Sequence, residues 1–147
     1  MRNDKKSSIQ AKILGSSIYL PYFKVISENK DYTFKPTIFD GFTKKKYIFQ
    51  NEYRQENKNS SLITDFSLTK GYRSSKDNKS NSISHLFLKY DYDFKLQNYS
   101  QSKIKAQIER VSNDSYLKVF QNNLFPSPAI PKSKSTLATK IDLDLTN

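Results

Sequence analysis

His85-Leu86-Phe87-Leu88-Lys89-Tyr90-Asp91-Tyr92-Asp93-Phe94 is the stretch whose reading decides the fold. Leu86, Leu88, Tyr90, Tyr92 and Phe94 fall on one side of an extended chain, and His85, Lys89, Asp91 and Asp93 mostly fill the other. Alternation held this long is the mark of a strand with one apolar and one polar face. Upstream, Lys46–Arg54 sets Tyr47, Phe49 and Tyr53 against Lys46, Gln50, Glu52 and Arg54. Leu62, Thr64, Phe66 and Leu68 then oppose Ser61, Asp65, Ser67 and Thr69. Downstream, Ile104, Ala106 and Ile108 alternate with Lys103, Lys105, Gln107 and Glu109. Last, Leu137, Ile141, Leu143 and Leu145 alternate with Ala138, Lys140, Asp142 and Asp144.

Two further strands carry a proline apiece. Ser17-Ile18-Tyr19-Leu20-Pro21-Tyr22-Phe23 and Asp31-Tyr32-Thr33-Phe34-Lys35-Pro36-Thr37-Ile38 flank the polar loop Ser27-Glu28-Asn29-Lys30. Pro21 and Pro36 lie about equally far from that loop, so a hairpin brings them near each other. Proline has no N–H for a ladder and is confined largely to edges, strand starts and bulges. The pair predicts a place where strand pairing is weak. Gly15, Gly41 and Gly71, the only glycines, fall between the predicted strands. The whole reads as one all-β antiparallel meander of about seven strands with no convincing helix. A polar N-terminal segment covers 1–12 and a partial barrel domain covers 13–147.

Composition narrows the function classes. The 147 residues are 35% hydrophobic and 14% aromatic, enough for one ordinary domain. Net charge is +11, but Arg2, Arg54, Arg73 and Arg110 are the only arginines among 25 basic residues. Guanidinium forks do most bidentate base and phosphate recognition, so no specific nucleic-acid partner is expected. With no cysteine there is no disulfide or thiolate metal site. His85 is the sole histidine, and no metal or other cofactor is expected. Asp91 and Asp93 read as wet wall rather than an acid–base pair. Three scattered glycines make no phosphate loop, and no serine sits in a nucleophile elbow. No enzyme activity is expected. No apolar run is long enough for a transmembrane helix. Met1–Lys12 lacks the apolar core of a signal peptide.

Two architectures fit the meander. In a soluble sandwich or OB-like barrel the apolar faces turn inward, and aromatics among lysines could bind nucleic acid or another anionic polymer. In a transmembrane barrel the faces are reversed. Leu86, Leu88, Tyr90, Tyr92 and Phe94 are then lipid-facing, and Lys89, Asp91 and Asp93 lumen-facing. A sheet of seven long strands with no covering helix would leave two long edges, which natural proteins avoid. Periodicity alone does not decide between the two and base rates favour the soluble form, but the open edges lean the other way, towards an arc cut from something larger such as a transmembrane β-barrel.

Leu14-Gly15-Ser16-Ser17-Ile18-Tyr19-Leu20-Pro21-Tyr22-Phe23 resembles the opening of the β-barrel in the lipopolysaccharide-assembly protein LptD family. That opening runs leucine-glycine, a few strand residues, then a proline followed by two aromatics. Asn29-Lys30-Asp31-Tyr32-Thr33-Phe34-Lys35-Pro36, Asn51-Glu52-Tyr53-Arg54 and Arg110-Val111-Ser112-Asn113-Asp114-Ser115-Tyr116-Leu117 resemble later pieces in the family's order. The resemblance spans about residues 13–120. It implies a Gram-negative outer-membrane location and transport of lipopolysaccharide into the outer leaflet. It also implies a lipoprotein plug of the LptE kind, a periplasmic Lpt bridge, and a lateral gate weakened at Pro21 and Pro36. The chain lacks the family's signal peptide, jellyroll, most barrel strands and any cysteine, so the expectation is a fragment of the first strands within a longer chain. Orientation stays open at this point. Seven strands counted from a periplasmic N-terminus put the long connections Gly71–Ser82 and Ser112–Ser135 on the periplasmic side, where barrels usually have short turns.

Overall fold

The computed structural model describes residues 8–9, 12–14, 17–39, 46–73, 80–112, 117, 124, 126–132 and 136–147. The strands are β1 (Ser8–Ile9), β2 (Lys12–Leu14), β3 (Ser17–Tyr19), β4 (Tyr22–Ser27) and β5 (Lys30–Phe39). They continue with β6 (Lys46–Asn57), β7 (Ser60–Arg73), β8 (Ser80–Phe94), β9 (Gln101–Val111) and β10 (Lys140–Thr146). All lie in one antiparallel sheet. β3 and β4 both pair with β5 in one continuous register, and β1 and β2 lie along β4 and β3 in turn. The sheet is therefore an open meander of eight lanes. The expected all-β meander forms, with one lane more at the N-terminus. Ser8–Ile9 and Lys12 belong to that lane, so the sheet reaches into the stretch read as a polar N-terminal segment.

Short turns gather at one end. Glu28-Asn29 and Lys58-Asn59 close two hairpins, and residues 95–100 a third. Asparagine suits these turns because its amide bonds to nearby groups. Asn29 accepts from Ser27 Oγ at 2.9 Å and donates to Asn57 Oδ1 at 2.7 Å, while Asn57 donates to Ser60 Oγ at 3.0 Å. The Glu56 N–H reaches the Asn29 carbonyl at 2.9 Å, which ties adjacent turns together. At the opposite end the register joins Leu14 to Ser17, Phe39 to Lys46 and Arg73 to Ser80, and there β9 ends at Val111 and β10 begins at Lys140.

The packing is inverted relative to a soluble sheet. Alternate residues put Thr33, Lys35 and Thr37 (β5), Gln50 and Glu52 (β6), Asp65, Ser67 and Thr69 (β7), His85 (β8) and Glu109 (β9) on one face, and all are buried. The described parts of the β9–β10 connection cover this face. Leu117, Leu124 and Ala129 form a small cluster with Ile48 and Phe87, and Ile130 and Leu137 pack on it. The opposite face carries Ile38, Phe66, Leu68, Leu86 and Tyr92 exposed, with Leu68 55% accessible.

Candidate functional site

Two regions concentrate the chemistry: the proline-marked edge, and the polar wall under the β9–β10 connection.

At the edge, Leu20 and Pro36 stand opposite each other in the β3/β4–β5 register. The Leu20 N–H donates to the Pro36 carbonyl at 3.2 Å. Pro36 has no N–H to return, so half of that bond pair is missing. Pro21 follows at the break between β3 and β4. On its other side, β1 pairs with Tyr22 and Phe23, and β2 with Ser17 to Tyr19. Described pairing thus skips Leu20-Pro21 on that side; Gln10 and Ala11, across from it, lie outside the described residues. The two prolines are brought together between the second and third lanes from the N-terminal edge of the sheet. Pro21 is on the covered face and Pro36 on the apolar one, by alternation.

On the wall, Lys35 Nζ lies 3.2 Å from Glu52 Oε2 and 3.8 Å from Asp65 Oδ2. Arg54 Nε donates to Glu52 Oε1 at 2.8 Å, and Ser127 of the covering segment also bonds Glu52. Gln50 Nε2 donates to both Asp65 oxygens at 3.1 and 2.9 Å. His85 bonds through Nε2 to Asp65 Oδ1 at 2.7 Å and through Nδ1 to Ser67 Oγ at 2.8 Å, and its ring stacks on Phe87 at 4.3 Å. Four lanes, β5 to β8, are cross-linked by side chains in this way. At the far side the Ala138 N–H donates to Glu109 Oε2 at 2.8 Å, anchoring the connection where it returns to the sheet.

Ser67, His85 and Asp65 have the hydrogen-bond order of a nucleophilic triad. Such a triad needs a substrate within reach of the serine and donors for an oxyanion. Ser67 is 3% exposed and Asp65 is spent on Gln50 and Lys35 as well. The arrangement as built is a cross-link that satisfies buried polar groups. Among the described residues, no group of three His, Cys, Asp or Glu side chains could hold a metal ion.

The faces of the deciding strand separate as the alternation predicts. Leu86 and Tyr92 are exposed, and Leu88, Tyr90 and Phe94 half-buried, on the apolar side. Tyr90, Tyr92 and Phe94 stack in a ladder with centroids 6.5 and 5.9 Å apart. On the other side Lys89 and Asp91 are half-buried and Asp93 exposed, the last 3.6 Å from Lys103. Sequence reading placed Gln50, Glu52, Asp65 and His85 on polar faces but did not find their network. Its only signal was that these residues recur at matching positions of adjacent strands.

No family model, curated protein or solved structure matches this chain in the comparisons made with each. What the geometry defines is an open antiparallel β-meander with an apolar outer face and a buried polar wall.

Proposed function

We propose that this chain forms the opening strands of an outer-membrane β-barrel of the LptD type, part of a longer chain that passes lipopolysaccharide to the outer leaflet through a lateral gate. The observation that carries the reading is the inversion of polarity. Glu52 and Asp65 are wholly buried, while Phe66 and Leu68, their neighbours on β7, face outward. In water such a face is an aggregation hazard; against hydrocarbon it is the ordinary outer wall of a barrel. Strands of ten to fifteen residues in β5 to β9 are long enough to cross tilted.

Aromatics support the same reading. Tyr32, Tyr53, Tyr90, Tyr92 and Phe94 lie on the outer face towards the short-turn end, where a membrane–water interface favours them. Tyr53 donates to Gln55 Oε1 at 2.8 Å and Tyr32 to Asn51, so the hydroxyls are satisfied. The extra lane also supports an orientation with the short turns on the periplasmic side. With Ser8–Leu14 as the first lane, the N-terminal end of the sheet joins the short turns, and the strand ends at Phe39 and Lys46, Arg73 and Ser80, and Val111 and Lys140 fall together on the other side. Short turns on the periplasmic side and longer loops outside is the usual arrangement. The cargo rests on the family resemblance, which expects the gate prolines in the first two strands; here Pro21 and Pro36 stand on the second and third lanes. An LptE-like plug and a periplasmic bridge belong to the same proposal.

The soluble OB-like alternative needs exposed aromatics among free cations. Here the outer aromatics lie among Ile, Leu and Phe, and Lys103, Lys105 and Lys140 of the other face sit 3.6, 3.5 and 3.2 Å from aspartates. Nothing specific favours it.

The gate is tested by replacing Pro21 and Pro36 together with valine in the full-length protein. Each restored N–H is worth a net of about 0.5–1.5 kcal/mol once paired. Barrel abundance should hold or rise while surface lipopolysaccharide falls and large hydrophobic antibiotics enter more readily. Unchanged permeability at matched abundance removes the gate role and leaves the prolines as edge markers.

A further inference from the structure

β10 is the last lane of the sheet, with a strand beside it, β9, on one side only among the described residues. Its outward residues Ile141 and Leu143 are 78% and 58% exposed, the most open of the large apolar side chains among the described residues. Its inward residues continue a charge pattern. Along one register row Asp91 of β8 faces Lys105 of β9, which faces Asp142; along the next, Asp93 faces Lys103, which faces Asp144. The columns alternate acid, base, acid across three strands. Lys103 Nζ is 3.6 Å from Asp93 and Lys105 Nζ 3.5 Å from Asp144. The series stops at Asp142 and Asp144, each with roughly half of its side chain in the open; Lys140, on the same face of β10, lies 3.2 Å from Asp142.

From this edge we infer that β10 is a docking edge for an antiparallel strand that is apolar on its outer face and carries lysine or arginine opposite Asp142 and Asp144. The inference rests on the barrel reading for its setting, since a further strand is what an open arc requires. The physical case is separate. Free N–H and C=O groups along an edge supply affinity by strand addition. Directly opposed cross-strand side chains sit about 5 Å apart, so opposite charges favour the pairing and like charges oppose it. Ile141, Leu143 and Leu145 extend the outer wall without a break, and an incoming strand of the same alternation continues it. A strand with acidic inward residues would put like charges side by side on two successive rows.

The test uses the whole chain refolded in zwitterionic micelles and two labelled nine-residue peptides, one alternating leucine with lysine, the other leucine with glutamate. The lysine peptide is expected to bind roughly tenfold tighter, the scale of two cross-strand charge pairs. Asp142→Lys with Asp144→Lys should reverse the preference, and Asp142→Asn with Asp144→Asn should flatten it with the β-sheet circular dichroism intact. With copper–phenanthroline and air as the oxidant that takes the two thiols' electrons, a Leu143→Cys variant should trap a cysteine-bearing lysine peptide as a disulfide. Equal binding of both peptides, indifference to the aspartate substitutions, or trapping of a second copy of the chain in place of the peptide overturns the inference. Insertion into vesicles is measured separately. A chain that selects the lysine peptide yet does not enter a bilayer keeps the edge and loses the barrel, and the converse result does the opposite.

Discussion

Replacing Lys35 with alanine is expected to destabilise the folded chain by about 3–5 kcal/mol, the cost of leaving buried charge uncompensated. Lys35 is 3% exposed and is the cation within reach of both Glu52 and Asp65. Arg54 also holds Glu52, at 2.8 Å and from a quarter-exposed position, which keeps the loss towards the lower part of that range. The midpoint of urea unfolding in micelles reads the loss directly. Adding Glu52→Gln to the Lys35→Ala variant should recover part of it, because one orphaned charge goes with its partner. A Lys35→Ala chain as stable as the parent would mean that the polar wall does not hold β5, β6 and β7 together.

Leu88→Arg carries the other large effect, and its size depends on what bathes the outer face. Leu88 lies near the middle of β8, between Thr64 and Ile108, on the face with Leu86 and Tyr90. At the midplane of a bilayer an arginine on a barrel's lipid face costs about 2–4 kcal/mol. The inserted fraction in phospholipid vesicles should drop accordingly. Lys89→Gln, one residue on and on the polar face, should stay within about 0.5 kcal/mol, as surface substitutions do. Equal tolerance of the two would reject the assignment of faces.

What the sequence made legible follows from period two. In β8 each apolar residue from Leu86 to Phe94 has a polar neighbour except at Phe87, so the two faces can be told apart without the fold. Phe87 is the informative exception, a wholly buried residue on the polar face that packs beneath the covering segment. That segment was not legible. Residues 112–135 read as a polar, proline-bearing connection because they have no periodicity, and its few apolar residues gain meaning only once Leu117 and Leu124 meet Ile48 and Phe87. Strand ends were missed for a related reason. β7 runs on to Arg73 and β8 begins at Ser80, through stretches too polar to alternate, because backbone pairing continues where side-chain pattern stops. The first lane was hidden likewise, since its described pieces, Ser8–Ile9 and Lys12–Leu14, are too short to show an alternation. Missing that lane changed the parity of every later strand. Pro21 and Pro36 were legible in a stronger sense: their spacing from the Glu28-Asn29 turn was enough to bring them together.

Lipid cover over the exposed apolar face is open to one direct measurement. The chain has no native cysteine, so single cysteines at each position from His85 to Phe94 can carry a nitroxide label without background. In refolded vesicles, spin relaxation by oxygen, which concentrates in hydrocarbon, is compared with relaxation by a water-soluble nickel complex. Labels at Leu86, Leu88, Tyr90, Tyr92 and Phe94 should favour oxygen, and labels at His85, Phe87, Lys89, Asp91 and Asp93 should not, giving a period of two. Labels at Leu86, Leu88 and Tyr90 that relax with the nickel complex as readily as those at Lys89 and Asp91 would contradict the account.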